Sequence, residues 1–281
     1  MKYIGKFFKH LYLIILLILI TIPVLYTISS SFKTNVELLA HPENLFPIEP
    51  TLDNYRECIE VGTSFPIINM FFNSLYYTVC SVIITVFLSA MMGYVFARGN
   101  FRGKKAIFAL FCSLMFINLG SITMYPYFEI LNVLHIKKGL SSLLLLKCFG
   151  MPIANVYLVR GFIKGIPYEI DEAAKIDGCS FAGIFFRIII HMLKPILATI
   201  AILTFQGSWN DYLMPLIFTM TQPLQQTLIV GVMKLKTSGE AASSWNLMLA
   251  GTTISLIPVL VAYGFGNKYF VDGIAAGAVK G

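Results

Sequence analysis

Two short stretches carry most of the side chains able to do chemistry, Glu169-Ile-Asp-Glu-Ala-Ala-Lys-Ile-Asp-Gly178 and Trp209-Asn210-Asp211-Tyr212, in a chain that is 57% hydrophobic and only 12% charged. The chemistry of the first is that of a docking surface. Glu169, Asp171 and Glu172 fall in the first turn of a predicted short helix, where carboxylates complement the free N–H groups and the positive end of the helix dipole. Ala173 and Ala174 leave a smooth surface for close approach, and Gly178 can take the left-handed conformation that ends a helix. A helix of about two to three turns is marginal alone in water, so it is expected to be held by packing. The second stretch sets an aromatic ring beside an amide and a carboxylate. Such a ring can stack on the apolar face of a pyranose while polar neighbours bond its hydroxyls. The competing reading places Trp209 and Tyr212 in an interfacial aromatic belt, with Asp211 capped by solvent.

An ionisable group at bilayer depth costs about 2.5–3.5 kcal/mol and normally faces protein or water. Asp211 and Asn210 therefore lead the candidates for a polar, solute-facing surface, with Trp209, Tyr212 and Asn73 beside them. Asn118, Gln206 and Asn246 are weaker, because polar residues in spans also serve helix packing. Lys147 is expected to sit near a water-filled cavity or to pair with Asp211. Covalent and hydrolytic chemistry find no support. Gly99-Asn-Phe-Arg-Gly103-Lys104-Lys105 has one residue too few between its glycines, and Lys where a phosphate-binding loop needs Ser or Thr. It reads instead as a tight basic turn. There is no Gly-x-Ser-x-Gly elbow, His-Glu-x-x-His site or Cys-x-x-Cys pair. Cys58, Cys80, Cys112, Cys148 and Cys179 have no paired spacing and read as free, packed thiols, and His10, His41, His135 and His191 show no metal-ligand spacing.

The elements that must position these residues are membrane-spanning. Mean hydropathy is +0.76, and the chain holds 23 Phe, 14 Tyr and 12 Met in 281 residues. Spans of about 20 apolar residues cross the hydrocarbon, and six are expected, near 11–30, 67–97, 106–130, 140–161, 196–219 and 246–266. Lys and Arg placement sets their direction. With a cytoplasmic N-terminus, 14 of the 21 basic residues fall inside, six fall outside, and Lys147 lies within the fourth span. Both termini and the Glu169–Gly178 stretch are then cytoplasmic. The net charge of +7 reports this orientation and is not read as a nucleic-acid footprint. The segment after Lys2, Lys6 and Lys9 is too long for a signal peptide and reads as an uncleaved first helix. The chain divides into 1–66, holding the first helix and an external loop, and 67–281, a five-helix core with a cytoplasmic tail at 267–281. In the loop, Thr51-Leu-Asp53-Asn-Tyr55 is also consistent with a capped surface helix.

Glu172-Ala173-Ala174 followed by Asp177-Gly178, then Phe185, Ile188 and Pro195, resembles the EAA loop of importer permeases in the ATP-binding-cassette superfamily. Thr51 to Tyr55, Trp209 to Leu216 and the ending Lys268-Tyr-Phe-Val-Asp-Gly-Ile-Ala-Ala-Gly-Ala-Val-Lys-Gly281 narrow the resemblance to the carbohydrate, maltose-type branch. The resemblance implies an all-α type I importer permease fold with six transmembrane helices and a cytoplasmic coupling helix, in a prokaryotic cell membrane. It implies a second homologous permease, two ATPase subunits, an extracytoplasmic solute-binding protein and a sugar substrate as partners, with alternating access as the mechanism. ATP and magnesium would sit on the ATPases, with no cofactor on this chain. Coupling falls to Glu169, Glu172, Ala173, Ala174, Asp177 and Gly178, with Glu172 facing the ATPase and Gly277 and Lys280 reaching toward it. His191 stands where the loop usually has its first proline, which predicts a straighter lead-in to the fifth span. The alternatives are a permease for another solute, such as a polyamine, and a channel or secondary transporter working without an ATPase.

Overall fold

A computed structural model describes residues 2–59, 66–117, 122, 124–237 and 245–278, with side chains at 6–59, 66–117, 122, 124–234 and 245–266. Every regular element among them is helical. In chain order these are α1 (Lys2–Ser30), α2 (Asn35–Ala40), α3 (Asp53–Ile59), α4 (Ile67–Arg98), α5 (Lys104–Leu114), α6 (Met124–Val133), α7 (Leu140–Phe149), α8 (Ile153–Lys164), α9 (Glu169–Ile176) and α10 (Phe181–Ile184). A π-turn at Phe185–Ile189 leads into α11 (Ile190–Met192), α12 (Lys194–Trp209), α13 (Leu213–Phe218), α14 (Leu228–Thr237) and α15 (Trp245–Ala278).

The six expected spans meet three kinds of outcome. Lys6–Ser30, Ile67–Arg98 and Trp245–Gly266 are uninterrupted and apolar enough to cross a bilayer. Two further spans are bent pairs. Leu140–Phe149 and Ile153–Lys164 meet at 45°, where Gly150 precedes Pro152 and the proline cannot donate to the helix ladder. Phe181–Met192 and Lys194–Trp209 meet at 76°, so the straight lead-in expected from His191 is not what forms. Pro195 is the reason: it has no N–H for the carbonyl of His191 and its ring crowds that oxygen, whichever side chain residue 191 carries. The preceding π-turn adds to the irregularity. The segment expected as one span at 106–130 is instead α5 and α6, 11 and 10 residues long, each too short alone for about 30 Å of hydrocarbon. The expected span at 196–219 also breaks, because α12 ends at Trp209 and α13 starts at Leu213. The expected tail is helical as far as Ala278 and continues the last span as α15.

The chain falls into two units, Met1–Phe72 with Thr227–Ile257, and Asn73–Gln226 with Pro258–Gly281. In the first, the loop after α1 is held by Asn54. Its amide donates to the carbonyls of Ser31 and Lys33, each at 2.8 Å, and its oxygen accepts from Asn246 Nδ2 at 2.7 Å. Asn246 thus serves packing. Thr51 Oγ1 accepts from the N–H of Asp53 at 3.1 Å, the capping geometry that the Thr51–Tyr55 sequence allows. In the second unit, α4 and α8 cross so closely at Gly93 that a Cβ there would lie 2.5 Å from Val159 Cγ1. Only a small residue permits this approach. The core around that crossing is formed by Ala90, Tyr94, Val159, Ile163, Ala174, Ile184, Phe185, Ile189 and Ile200. A second cluster joins Tyr77, Leu131, Leu140, Leu143, Leu144 and Phe218.

Candidate functional site

The eight-residue helix α9 forms where the acidic first turn predicts it, and it ends as Gly178 dictates. Gly178 has φ +79°, the N–H of Cys179 bonds Ala174 O at 2.9 Å, and the N–H of Gly178 bonds Lys175 O at 3.0 Å. That pair of bonds is a Schellman cap, which satisfies carbonyls otherwise left open. One face of the helix is buried. Ala174 and Ile170 pack into the core of the second unit, and Asp171, 2% exposed, lies 3.1 Å from Nε of Arg98 at the end of α4. This contact is an ion pair whose angle falls outside hydrogen-bond geometry. Arg98 also donates to Ile166 O at 2.7 Å and its guanidinium lies 5.2 Å from the Tyr168 ring. On the opposite face Glu169, Glu172, Ala173, Asp177 and Gly178 are exposed, as is Ile176 at 87%. An apolar side chain so exposed between acids marks a surface suited to a partner.

Sequence reasoning assigned Asp171 to dipole compensation and Arg98 to topology, and missed that the two form one anchor. The signal was a lone arginine closing a long apolar helix together with a third acid that a docking face did not need. The hydroxyl of Tyr168 accepts from Lys175 Nζ at 3.1 Å, and this bond holds the Lys175 ammonium above the usual lysine range.

The second feature is a cavity of about 270 Å³ in the second unit, whose lining includes Tyr77, Tyr127, Lys147, Met151, Asp211 and Met214. Its polar groups form a chain. Tyr77 donates its hydroxyl to Asp211 Oδ2 at 2.8 Å, and the Lys147 ammonium lies 4.3 Å from the centre of the Tyr77 ring. Lys147 donates to Ser81 Oγ at 2.9 Å and Ser208 Oγ at 3.4 Å, so cation and carboxylate share the cavity through Tyr77 and two serines rather than by a direct pair. Asp211 is positioned by the break after α12. Its Oδ1 accepts from the N–H of Met214 at 3.4 Å, the bond of a side chain starting a new helix. With Oδ2 on Tyr77, the carboxylate ties α4 to the start of α13.

Of the other expected path residues, only Asp211 reaches this cavity. Trp209 is 1% exposed and stacks on Phe205 at 5.8 Å with planes 7° apart. Its ring is thus buried within the chain's own packing. Asn210 donates to Gln206 O at 3.0 Å, and Tyr212 precedes α13 without lining the cavity. Asn73 donates to the carbonyls of Leu224 at 2.7 Å and Gln226 at 3.0 Å, where it fixes the loop before α14. Gly277 lies near the end of α15; Lys280 and Asn118 lie outside the described residues. Tyr77, Tyr127 and Lys147 were not among the expected path residues except for Lys147's proposed proximity. No spacing in the sequence joins residues 77, 147 and 211, which only the packing of α4, α7 and the α12–α13 break brings together.

The chain thus combines an anchored acidic helix and a polar cavity with three helices, or five if each bent pair is one span, that are long and apolar enough to cross a membrane among the described residues. Residues 1–274 match the family of binding-protein-dependent transport system inner membrane components, and the chain belongs to that family. It is 31% identical over 274 residues to the arabinooligosaccharides transport system permease protein AraQ of Bacillus subtilis (strain 168), covering 96% of this chain and 94% of that one. It is likewise 31% identical over 280 residues to the galactooligosaccharides transport system permease protein GanQ of the same organism, covering 100% of this chain and 97% of that one. A chain in the crystal structure of a bacterial ABC transporter involved in the import of the acidic polysaccharide alginate aligns with a TM-score of 0.78 at 23% identity, covering 95% of this chain and 97% of that chain. The shared architecture is the all-helical type I ABC permease fold.

Proposed function

We propose that the chain is a transmembrane permease subunit of an ATP-driven importer that takes up a sugar or oligosaccharide delivered by an external solute-binding protein. Support for the substrate class comes from relatives named for oligosaccharide transport that align over nearly the whole chain. In this reading it pairs with a second, homologous permease and is served by two ATPase subunits that hold ATP and magnesium. Both termini are cytoplasmic, as the Lys and Arg distribution favours. Six crossings are completed by treating α5 and α6 as one interrupted span beside the three continuous and two bent ones.

The observation that carries the reading is α9. Its inner face is fixed by Asp171, Ala174 and Ile170, while Glu169, Glu172, Ala173 and Ile176 face outward. A short helix anchored at one face and open at the other can pass a displacement into α4 through the Arg98–Asp171 contact, and small shifts are amplified when packed elements have discrete arrangements. At the other end of the lever, the cavity lined by Tyr77, Tyr127, Lys147 and Asp211 offers donors, an acceptor and aromatic faces for a polyhydroxylated solute.

The test is uptake by proteoliposomes holding the complete complex, with its solute-binding protein and a panel of arabino- and galacto-oligosaccharides. ATP-dependent uptake of at least one member is the expected result. Uptake without ATP or the ATPase subunits would instead fit a channel or secondary transporter, and ATP-dependent uptake of polyamines alone would redirect the substrate class.

A further inference from the structure

The end of the second unit that carries α9 also gathers cations on the elements beside that helix. Residues 92–116 and 150–168 contain no Asp or Glu but hold Arg98, Arg102, Lys104, Lys105, Arg160 and Lys164. Arg98 is spent on Asp171. The remaining five belong to three neighbouring elements: the turn after α4, the first residues of α5 and the last turns of α8.

The structure fixes two of them against the same short piece of backbone. Lys104 Nζ donates to Gly99 O at 2.7 Å and Ala97 O at 3.1 Å. Arg160 Nε donates to Phe96 O at 3.3 Å, and its guanidinium lies 3.9 Å from the centre of the Phe108 ring. Gly103, at φ +80°, turns the chain so that α5 starts beside that backbone. Lys164 is one helical turn from Arg160 and shares its face of α8. Burial, with the charges of Arg160 and Lys164 adding to it, holds the Lys104 ammonium below the usual lysine range. Lys105 and Lys164 are exposed.

The cations border apolar surface. Phe101, Ile107, Leu110, Tyr157 and Leu158 are exposed, and the Phe108 and Tyr157 rings stack at 6.3 Å with planes 13° apart. Cations clustered at helix ends, next to exposed aromatic and aliphatic side chains, match an amphiphile with an anionic head and apolar tails. A soluble acidic partner would use the charge and leave the apolar border unmatched.

We propose that Lys104, Arg160 and Lys164, flanked by Lys105 and Arg102, form a binding site for the phosphate headgroup of an anionic phospholipid whose acyl chains lie along α5 and α8. The site requires only that these helices lie in a bilayer, and is independent of which solute is carried. It stands against the elements that hold α9, so a bound lipid would brace the end of α4 to which Asp171 is tied.

The test uses the intact complex in detergent, titrated with phosphatidylglycerol or phosphatidylcholine, with retained lipid counted by native mass spectrometry. Lys105→Gln/Lys164→Gln leaves the backbone contacts of Lys104 and Arg160 in place. Phosphatidylglycerol should be retained selectively by the wild type and roughly 25-fold more weakly by the double variant, about fivefold for each near-surface charge removed. Lys105→Arg/Lys164→Arg should retain it. Equal retention of both lipids by the wild type, or unchanged selectivity in the Gln variant, would overturn the proposal. So would binding of glycerol phosphate as tight as that of phosphatidylglycerol, or loss of the ATPase subunits from the Gln variant with lipid retention unchanged, which would assign the patch to a soluble phosphate ester or to a protein partner.

Discussion

Asp171 and Arg98 show how a residue's role depends on what it meets rather than on its type. Both are nearly excluded from solvent, with side chains 3% and 10% exposed, and removing one partner leaves a buried charge uncompensated. Asp171→Ala is therefore expected to destabilise the protein by about 3–5 kcal/mol, seen as a lowered thermal midpoint of the purified complex. Arg98→Met/Asp171→Leu should recover most of that loss, because an apolar pair of similar volume incurs no desolvation cost. A double variant no more stable than Asp171→Ala would show that the pair is not the anchor. In the cavity, Tyr77→Phe removes one hydrogen bond to a carboxylate, a change of about 1.5–3 kcal/mol. Solute uptake should fall about tenfold or more while the subunits still assemble; unchanged uptake would remove Tyr77 from the path. Cys58 offers a check on the first unit. Burial, with the charge of Glu57 adding to it, pushes its thiol up to about 12, so at pH 7 to 8 it stays protonated and slow toward maleimide, while exposed Cys148 reacts unless lipid or a partner covers it. Since the pKa is raised, the reactive thiolate of Cys58 gains population only as the pH climbs toward 12.

Among the elements, α9 was the most legible from sequence. Its acids, alanines and glycine are local signals, and the helix start, its length and the left-handed stop at Gly178 depend on neighbours within a few residues. Gly178→Ala should cost about 1–2 kcal/mol, and amide exchange in the last turn of α9 should speed up; exchange as slow as in the wild type would mean that the cap is not holding the helix. The spans were legible as apolar runs but not as shapes. Hydropathy over 140–161 and 196–219 gives length without direction, whereas the 45° and 76° bends come from Pro152 and Pro195 withholding a donor from the preceding turn. His191 misled because the bend depends on Pro195, which remains, and not on the proline that is missing. The cavity was the least legible element, since it needs α4, α7 and the α12–α13 break in one place and each contributes one or two polar residues among apolar ones. Asp211 could be singled out by its cost in a membrane, but Tyr77 could not, because Tyr76 beside it looks alike in sequence and only packing buries Tyr77 and leaves Tyr76 exposed.

At the scale of the whole molecule, a permease of this kind has to hold a solute path in one part and receive work in another. In the reading proposed above the second unit serves both ends: the Tyr77–Lys147–Asp211 cavity as the path, and α9, bound to the end of α4, as the receiver. Helix α4 runs from Ile67 to Arg98 as one piece, with Tyr77 about a third of the way along it and Arg98 closing the far end. Over 21 residues at about 1.5 Å each the two are roughly 30 Å apart along it, so a shift of α9 has a continuous rod on which to act. Gly93 sets the fit of that rod against α8. Gly93→Leu would drive a side chain into Val159, costing about 1–3 kcal/mol by overpacking and lowering uptake together with stability.

The most direct test of α9 as the coupling element is solute-stimulated ATPase activity of the reconstituted complex carrying Glu172→Ala. Glu172 is exposed, so the variant should fold and insert normally. Basal hydrolysis without solute-dependent stimulation, or loss of the ATPase subunits from an otherwise intact chain, is the result expected. Stimulation equal to that of the wild type, with the complex whole, would contradict the assignment of this helix as the point where ATP hydrolysis is coupled to transport.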